Sequence, residues 1–385
     1  MVNRQEQIAR SIIKAILSTD ENGLPLSKPS VLRRLFGLFN LYWLTLQLVK
    51  SDLFNALRAF WVINDGEYKA SFGSDWKTGK KQKDILQGLG DMGYSGSTFF
   101  RTSDSSYLIK SVPRHFENAF FKNEMLVPYA DHMRANPGSL LIRITDFLEC
   151  SNRSLGTLLG LAPSHHIVME NILYGQDESR EDGKGVKWES WDLKPTSYFF
   201  PERDVAGGAL ASEATKSRLA DEFDDKIHLT LDQAEEFKAQ LQKDTKLLAD
   251  CNAVDYSLFL VRLSASKPEG QPRPGGDELL PPANPPFAPP GPPSWRLGMV
   301  SSDGKEVYRA AVLDFFWAKH TLHAKTMTGL VKTYNLIDKQ GPMSITAASS
   351  EYRERFLKMA MEMIDVEGAP EWGKSTERLG SIEEE

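Results

Sequence analysis

At 385 residues the chain is long enough for two average domains or one large bilobal domain. Apolar residues at 41% and charged residues at 25% describe a water-soluble protein with a substantial core, and a net charge of -6 excludes the basic footprint of a general nucleic-acid binder. Two cysteines, Cys150 and Cys251, cannot build a disulfide framework, which points to a reducing, cytoplasmic setting. The first residues carry no secretory pattern. The most apolar run, Leu35 to Val49, ends at Lys50 and is too short to span a bilayer, so it reads as a buried or partner-facing helix.

From Ile8 to about Tyr68 the periodicity is helical, with Leu53, Phe54, Leu57, Phe60 and Trp61 recurring at three and four. Asn64-Asp65-Gly66 supplies a turn. A small β-rich lobe is expected from Ile85 to about Gly175. Thr98 to Thr102 and Tyr107 to Val112 form its hairpin, turned by Ser103 to Ser106, and Glu117 to Arg134 is a helix closed by Pro137-Gly138. Ser139 to Ile144 and His166 to Met169 read as further strands. The remainder mixes a helix over Leu231 to Asp250, apolar on Phe237, Leu241 and Leu248, with strands over Ser257 to Leu263 and Tyr308 to Leu313. Between those strands, 268–294 holds 11 of the 21 prolines, a composition that cannot bury enough apolar surface to order itself. It is expected to be a passive loop within a domain, with an SH3-binding role as the alternative.

Four stretches have the chemistry to handle phosphate and metal. Gly93-Tyr94-Ser95-Gly96-Ser97 precedes the hairpin that ends in Lys110; glycines let backbone N–H groups approach phosphate oxygens, and a strand-borne lysine can reach under such a loop. Trp191-Asp192-Leu193-Lys194 offers a second lysine. Asp255 opens an apolar strand and Asp314 closes another; carboxylates at strand ends can hold Mg²⁺, which keeps waters and bridges phosphates. Gly368 to Ser375 matches the P-loop expression but follows a Met-rich helical segment and contains Pro370, so it is read as a decoy. Asn152-Arg153-Ser154 fits a glycosylation pattern without other signs of secretion, and His320 with His323 lacks a third metal ligand. The chain has neither an HRD nor a DFG motif, so it is not an ordinary protein kinase.

From about Asp52 to Val366 these motifs resemble the phosphatidylinositol phosphate kinase family. DLFNALRAFWVINDGEYKASF is similar to its N-terminal segment, GYSGSTFFRTSDSSYLIKSV to its glycine loop and lysine strand, and HHIVMENILYG to its hinge. WDLK, KDTKLLADCNAVDYSLFLV and AAVLD resemble its lysine, aspartate and metal motifs, and ITAASSEYRERF resembles its closing segment. The hinge, the run before the aspartate motif and FFWAK are nearest to the type III branch, which acts on phosphatidylinositol 3-phosphate at the 5-position.

The resemblance implies an α+β, bilobal, SAICAR-synthase-like fold of antiparallel sheets with packed helices. The expected layout is a helical extension over 1–51, the kinase-like domain over 52–366 with its small lobe to about 175, and an acidic tail over 367–385. It implies a lipid kinase using ATP and Mg²⁺ on a phosphoinositide headgroup at an anionic membrane surface. Gly93, Ser95 and Gly96 would cover the phosphates with Lys110 pairing to them, and Met169 and Glu170 would lie beside adenine. Lys194 would act at the reaction centre, Asp255 as base or substrate orienter, and Asp314 as the Mg²⁺ ligand. The loop with Lys319, His320, His323, Lys325 and Lys332 would face the membrane, where basic residues gain from anionic headgroups. A homodimer through the N-terminal helices is left open, as is whether Glu117 or Glu124 pairs with Lys110. Two departures favour an alternative, a catalytically impaired scaffold that binds nucleotide, lipid or a protein. Pro195 stands where the family has glycine, and Tyr198, Phe199 and Phe200 fill the stretch before Arg203 where it has an arginine.

Overall fold

The structure is a computed structural model in which the described residues are 4–18, 42–73, 85–91, 97–151, 154–159, 161–177, 186–195, 223–265, 294–318, 347–369 and 372. The described chain is α+β and divides into two compact units. The first takes its described residues from 4–118 and 142–175, the second from 119–141 and from 176 onward.

In the first unit, six antiparallel strands lie in the order β1-β5-β6-β4-β3-β2: β1 Leu46–Leu48, β2 Leu86–Asp91, β3 Thr98–Thr102, β4 Tyr107–Ser111, β5 Ile144–Cys150 and β6 His165–Glu170. The expected hairpin is β3–β4, with Phe99 opposite Lys110 and Ser105 in the left-handed region of the turn. The helix Arg4–Leu17 buries Ile8, Ile12, Ile13 and Ile16, the i, i+4, i+8 stripe of an amphipathic helix. Two expectations are corrected. Part of the apolar run read as helix is β1, which pairs with β5, so the supposed extension supplies an edge strand to the same sheet. The strand read over Ser139 to Ile144 begins only at Ile144, where β5 starts. In β5 every residue to Leu148 is buried, so no alternation marks it in the sequence.

A register shift between Ile144 and Asp146 breaks the alternation of β5 and places a carboxylate in the core. Asp146 pairs at 2.9 Å with Arg58 from the helix Ser51–Phe60 and accepts a 2.6 Å bond from the Tyr68 hydroxyl, while Arg58 also donates to the Thr145 carbonyl. Around this pair Tyr68, Phe72 and Tyr107 form an aromatic cluster with centroids 5.1 to 6.2 Å apart. The short helices before the sheet are thereby fastened to it by a buried charge pair inside an apolar setting.

In the second unit, a four-stranded antiparallel sheet runs β11-β12-β10-β7: β7 Val186–Leu193, β10 Ser257–Ala265, β11 Met299–Val300 and β12 Glu306–Leu313. Strands β8 Ile227–Leu229 and β14 Ile364–Val366 pair in parallel, and β9 Ala253–Val254 pairs with β13 Trp317–Ala318. The helix Leu231–Asp250 has the predicted bounds and buries Phe237, Leu241 and Leu248; Thr230 and Gln233 close a capping box at its start. Its Asp244, fully buried, accepts bonds from Ser139 Oγ, Leu140 N and Gln240 Nε2 and meets His132 Nε2 at 2.6 Å. The helix predicted from Glu117 is interrupted by a π turn over Phe121–Met125 and ends at Ala135. Residues 119–141, expected in the small lobe, group with this second unit.

Arg58→Met leaves Asp146 buried without its cation, and urea unfolding is expected to show a loss of about 3–5 kcal/mol; a change under about 1 kcal/mol would deny the pair its role. His166 supplies a second test. It is fully buried on β6 and neither ring nitrogen has a hydrogen-bond partner. Burial, with His165 adding to it, pulls its pKa down to about 3. The unfolded chain titrates near ~6.5, so this stability is complete above that pH and is lost as pH falls toward 3. Between pH 7 and 5 the wild type is expected to lose about 2 kcal/mol through this residue, and His166→Leu to lack that portion of the acid slope in denaturant titrations.

Candidate active site

Three chain segments far apart in sequence arrive at one end of the second unit's sheet. Leu193, the last residue of β7, pairs with Leu258 near the start of β10, and Ser257 pairs with Leu313, the last residue of β12. Lys194, Asp255 and Asp314 are the residues just beyond those ladder ends. Asp192 lies on β7, two residues before Lys194, and its carboxylate acts electrostatically on the Lys194 ammonium.

Lys194 Nζ lies 3.2 Å from Asp255 Oδ2, each side chain 21% exposed. Burial by itself would lower the lysine pKa. The carboxylate of Asp255, followed by those of Asp192 and Asp314, outweighs it and raises the pKa above the ordinary lysine value. The ammonium is therefore held protonated, with a carboxylate in contact and two more within electrostatic reach.

The backbone contributes as well. Asp255 (φ 67°) and Asp314 (φ 63°) are both in the left-handed region, where non-glycine residues are uncommon and aspartate is among the better tolerated. Both are pinned from behind: Val254 pairs with Trp317 and Ala253 with Ala318, so the chain entering Asp255 runs beside the chain leaving Asp314. Phe315 and Phe316 are buried, Phe315 stacked on Tyr129 and Phe316 tilted against Phe121. The Tyr352 hydroxyl bonds the Tyr256 carbonyl at 2.6 Å. Holding two aspartates in sparsely populated conformations costs about 1–3 kcal/mol each, a strain found at functional positions.

In the first unit, Lys110 is buried on β4 with its Nζ 5.6 Å above the Phe99 ring. Met169 and Glu170 end β6, opposite Leu108 and Tyr107. The Glu170 carboxylate faces the main chain, accepting from Arg143 N at 2.8 Å. Glu117 pairs with Arg114 at 3.1 Å. Gly93, Ser95 and Gly96 lie outside the described residues, as do Lys319, His320, His323, Lys325 and Lys332, the 198–203 stretch and 268–293. So do most of the P-loop-like match and the last residues of the acidic tail.

The structure thus brings together Lys194, Asp255 and Asp314, and it adds Asp192, which sequence reasoning quoted within its motif without giving it a role. The signal was available: an acidic residue two before a lysine shares its face wherever the chain stays extended. Among the described residues no group of three or more His, Cys, Asp or Glu is arranged to hold a metal ion. One or two carboxylates with substrate phosphates and waters suit Mg²⁺, which rarely takes an all-protein cage.

Residues 80–282, more than half of the chain, match the family model described as phosphatidylinositol-4-phosphate 5-kinase. A probable phosphatidylinositol phosphate kinase of Dictyostelium discoideum is 26% identical over 221 residues, 54% of this chain and 26% of the relative. A phosphatidylinositol 4-phosphate 5-kinase of Plasmodium falciparum is 34% identical over 95 residues, 24% of this chain and 5% of its own. Phosphatidylinositol 4-phosphate 5-kinase 5 of Arabidopsis thaliana is 26% identical over 212 residues, covering 54% and 24%. The chain therefore spans about a quarter or less of the length of these curated relatives.

If Asp255 is the main charge beside Lys194, Asp255→Asn lowers the lysine pKa and Asp314→Asn lowers it less. NMR titration of isotopically dimethylated lysines reads both, and an unchanged Lys194 resonance in Asp255→Asn would contradict the pairing.

Proposed function

The chain belongs to the phosphatidylinositol-4-phosphate 5-kinase family, and from that premise we propose that it transfers the γ-phosphate of ATP to an inositol hydroxyl of a phosphatidylinositol phosphate. The observation that carries the proposal is the protonated Lys194 set among Asp255, Asp192 and Asp314 at one sheet end. Phosphoryl transfer asks the protein mainly for positioning and for charge placed around the moving group.

In this reading Lys194 directs its ammonium at the γ-phosphate or the incoming hydroxyl, and Asp255 orients that hydroxyl and accepts its proton. Asp314, with Asp192 nearby, would hold Mg²⁺. The chemistry such an ion would supply there is positive charge against the negative charge developing on the transferring phosphoryl group. Lys110 pairs with the α- and β-phosphates, Gly93, Ser95 and Gly96 cover them, and Met169 and Glu170 border adenine. One oxygen of the Glu170 carboxylate accepts from the Arg143 N–H. No helix of the described residues is long and apolar enough to cross a membrane. Reaching a lipid substrate then calls for peripheral association, to which the basic residues Lys319, His320 and Lys325 would contribute. The hinge, the run before Asp255 and FFWAK favour the preference of the type III branch, with phosphatidylinositol 3-phosphate as the acceptor lipid.

One observation favours the impaired-scaffold reading: Pro195, buried directly after Lys194, has no N–H to offer a phosphate. A labelled-ATP assay on mixed phosphoinositide vesicles separates the two. Turnover is expected in the wild type, with Lys194→Ala and Asp314→Asn each reducing kcat by about 10²–10³-fold and Lys110→Ala weakening ATP use. ATP binding by the wild type with no lipid phosphorylated would decide for the scaffold.

A further inference from the structure

The connection between β5 and β6 is an exposed leucine tip. From 154 to 164 the chain carries no Asp, Glu, Lys or Arg. Ser154 caps a single helical turn, Leu155–Leu158, by accepting from the Thr157 N–H. Around that turn Leu155 is 41% exposed, Leu158 62%, Leu159 64% and Leu161 37%. Four leucines in water within seven residues are no scatter of surface apolar residues; such a concentration marks an interaction site.

The place of this tip in the sheet says what it meets. Leu148 of β5 pairs with His166 of β6, and His166 pairs with Ser111 of β4. Ser111 Oγ in turn accepts from the Thr98 N–H of β3. That row is the end of the sheet from which the leucine tip projects, since Cys150 N bonds Ser164 O just beyond it. Ser97, the last residue of the glycine-rich stretch, enters β3 at the same end, and Lys110 is one residue away from the row. The tip and the entry to β3, where the glycine-rich stretch ends at Ser97, thus share one end of one sheet.

We propose that the leucine tip inserts into the acyl boundary of a lipid bilayer and holds this end of the sheet at the membrane that carries the substrate. The inference rests on the lipid-kinase reading above. An enzyme that delivers phosphate to a headgroup must turn its phosphate end to the bilayer, and leucines there are the side chains that gain from hydrocarbon. A second copy of the chain is the poorer occupant. The four leucines present roughly two whole leucines of surface, on the order of 300 Å², against the ~800 Å² per partner of a standard interface. The loop also carries no charged side chain with which to specify a protein partner.

The test uses the full chain without ATP. Leu159→Trp is mixed with phosphatidylcholine vesicles containing a phosphatidylinositol phosphate, with and without brominated acyl chains. Quenching by the bromines is expected, and in co-sedimentation Leu158→Ser/Leu159→Ser is expected to bind the same vesicles at least tenfold more weakly. Its thermal unfolding and its ATP binding are expected to match the wild type, since both positions are exposed. Absence of quenching with vesicle binding unchanged in the double variant would overturn the proposal. So would loss of self-association in that variant, by sedimentation velocity, without quenching in Leu159→Trp, because the tip would then be a protein contact. Because these arms contain no ATP, a chain that inserts yet phosphorylates no lipid loses the kinase reading and keeps the tip.

Discussion

The register of one antiparallel sheet governs the arrangement of the candidate site in the second unit. Lys194, Asp255 and Asp314 are each about 60 residues from the next in sequence, and only the ladders β7–β10 and β10–β12 bring them to one edge. A one-residue slip in the β7–β10 ladder would turn the side chains of β7 to the opposite face, moving Asp192 away from the other carboxylates. The register is fixed by burial. Leu258, Leu260 and Val261 on β10 and the run Val307 to Val312 on β12 are all excluded from water. The two left-handed aspartates then sit where the ladder stops, and the short β9–β13 pairing prevents either chain from relaxing into an ordinary turn.

The first unit solves a related problem with a buried charge. Lys110 needs a strand flanked on both sides, and β4 has that between β3 and β6. Behind this sheet the helices from Ser51 to Ser71 are tied down through Arg58 and Asp146. Such a pair adds little net stability over an apolar equivalent but strongly penalises any arrangement that separates its members. It therefore specifies how these helices dock. The strand bulge that aims Asp146 at Arg58 belongs to the same device.

Much of this was legible in the sequence because it was periodic or punctuated. The β3–β4 hairpin, the helix Leu231–Asp250 and the strands β10 and β12 have clear stripes, turn residues or caps. What escaped had no local signal. Strand β1 lies at the end of an apolar run whose spacing suits a helix as well as a strand, and its pairing with β5 is a long-range fact about residues 46–48 and 148–150. Strand β5 is buried on both faces, and its bulge erases the alternation that would have announced it. At the site, Lys194, Asp255 and Asp314 could be named from motifs, yet their convergence needed the ladders, and the part played by Asp192 needed only the two-residue period of a strand. Chain order also misplaced 119–141, because a continuous helical pattern gives no sign of which compact unit it packs with.

Charge sets the final constraint on how such a molecule reaches its substrate. The chain as a whole carries -6, and its candidate site places three carboxylates around one ammonium. A protein of that balance is repelled on average by an anionic bilayer, and salt shortens any compensating attraction from a local basic segment to about a Debye length. Apolar anchoring is free of both limits, since transfer of leucine from water to hydrocarbon depends on area and not on lipid charge. On the proposal made above, a leucine tip at one end of the six-stranded sheet would add to the attraction of Lys319, His320 and Lys325 a term that does not depend on lipid charge.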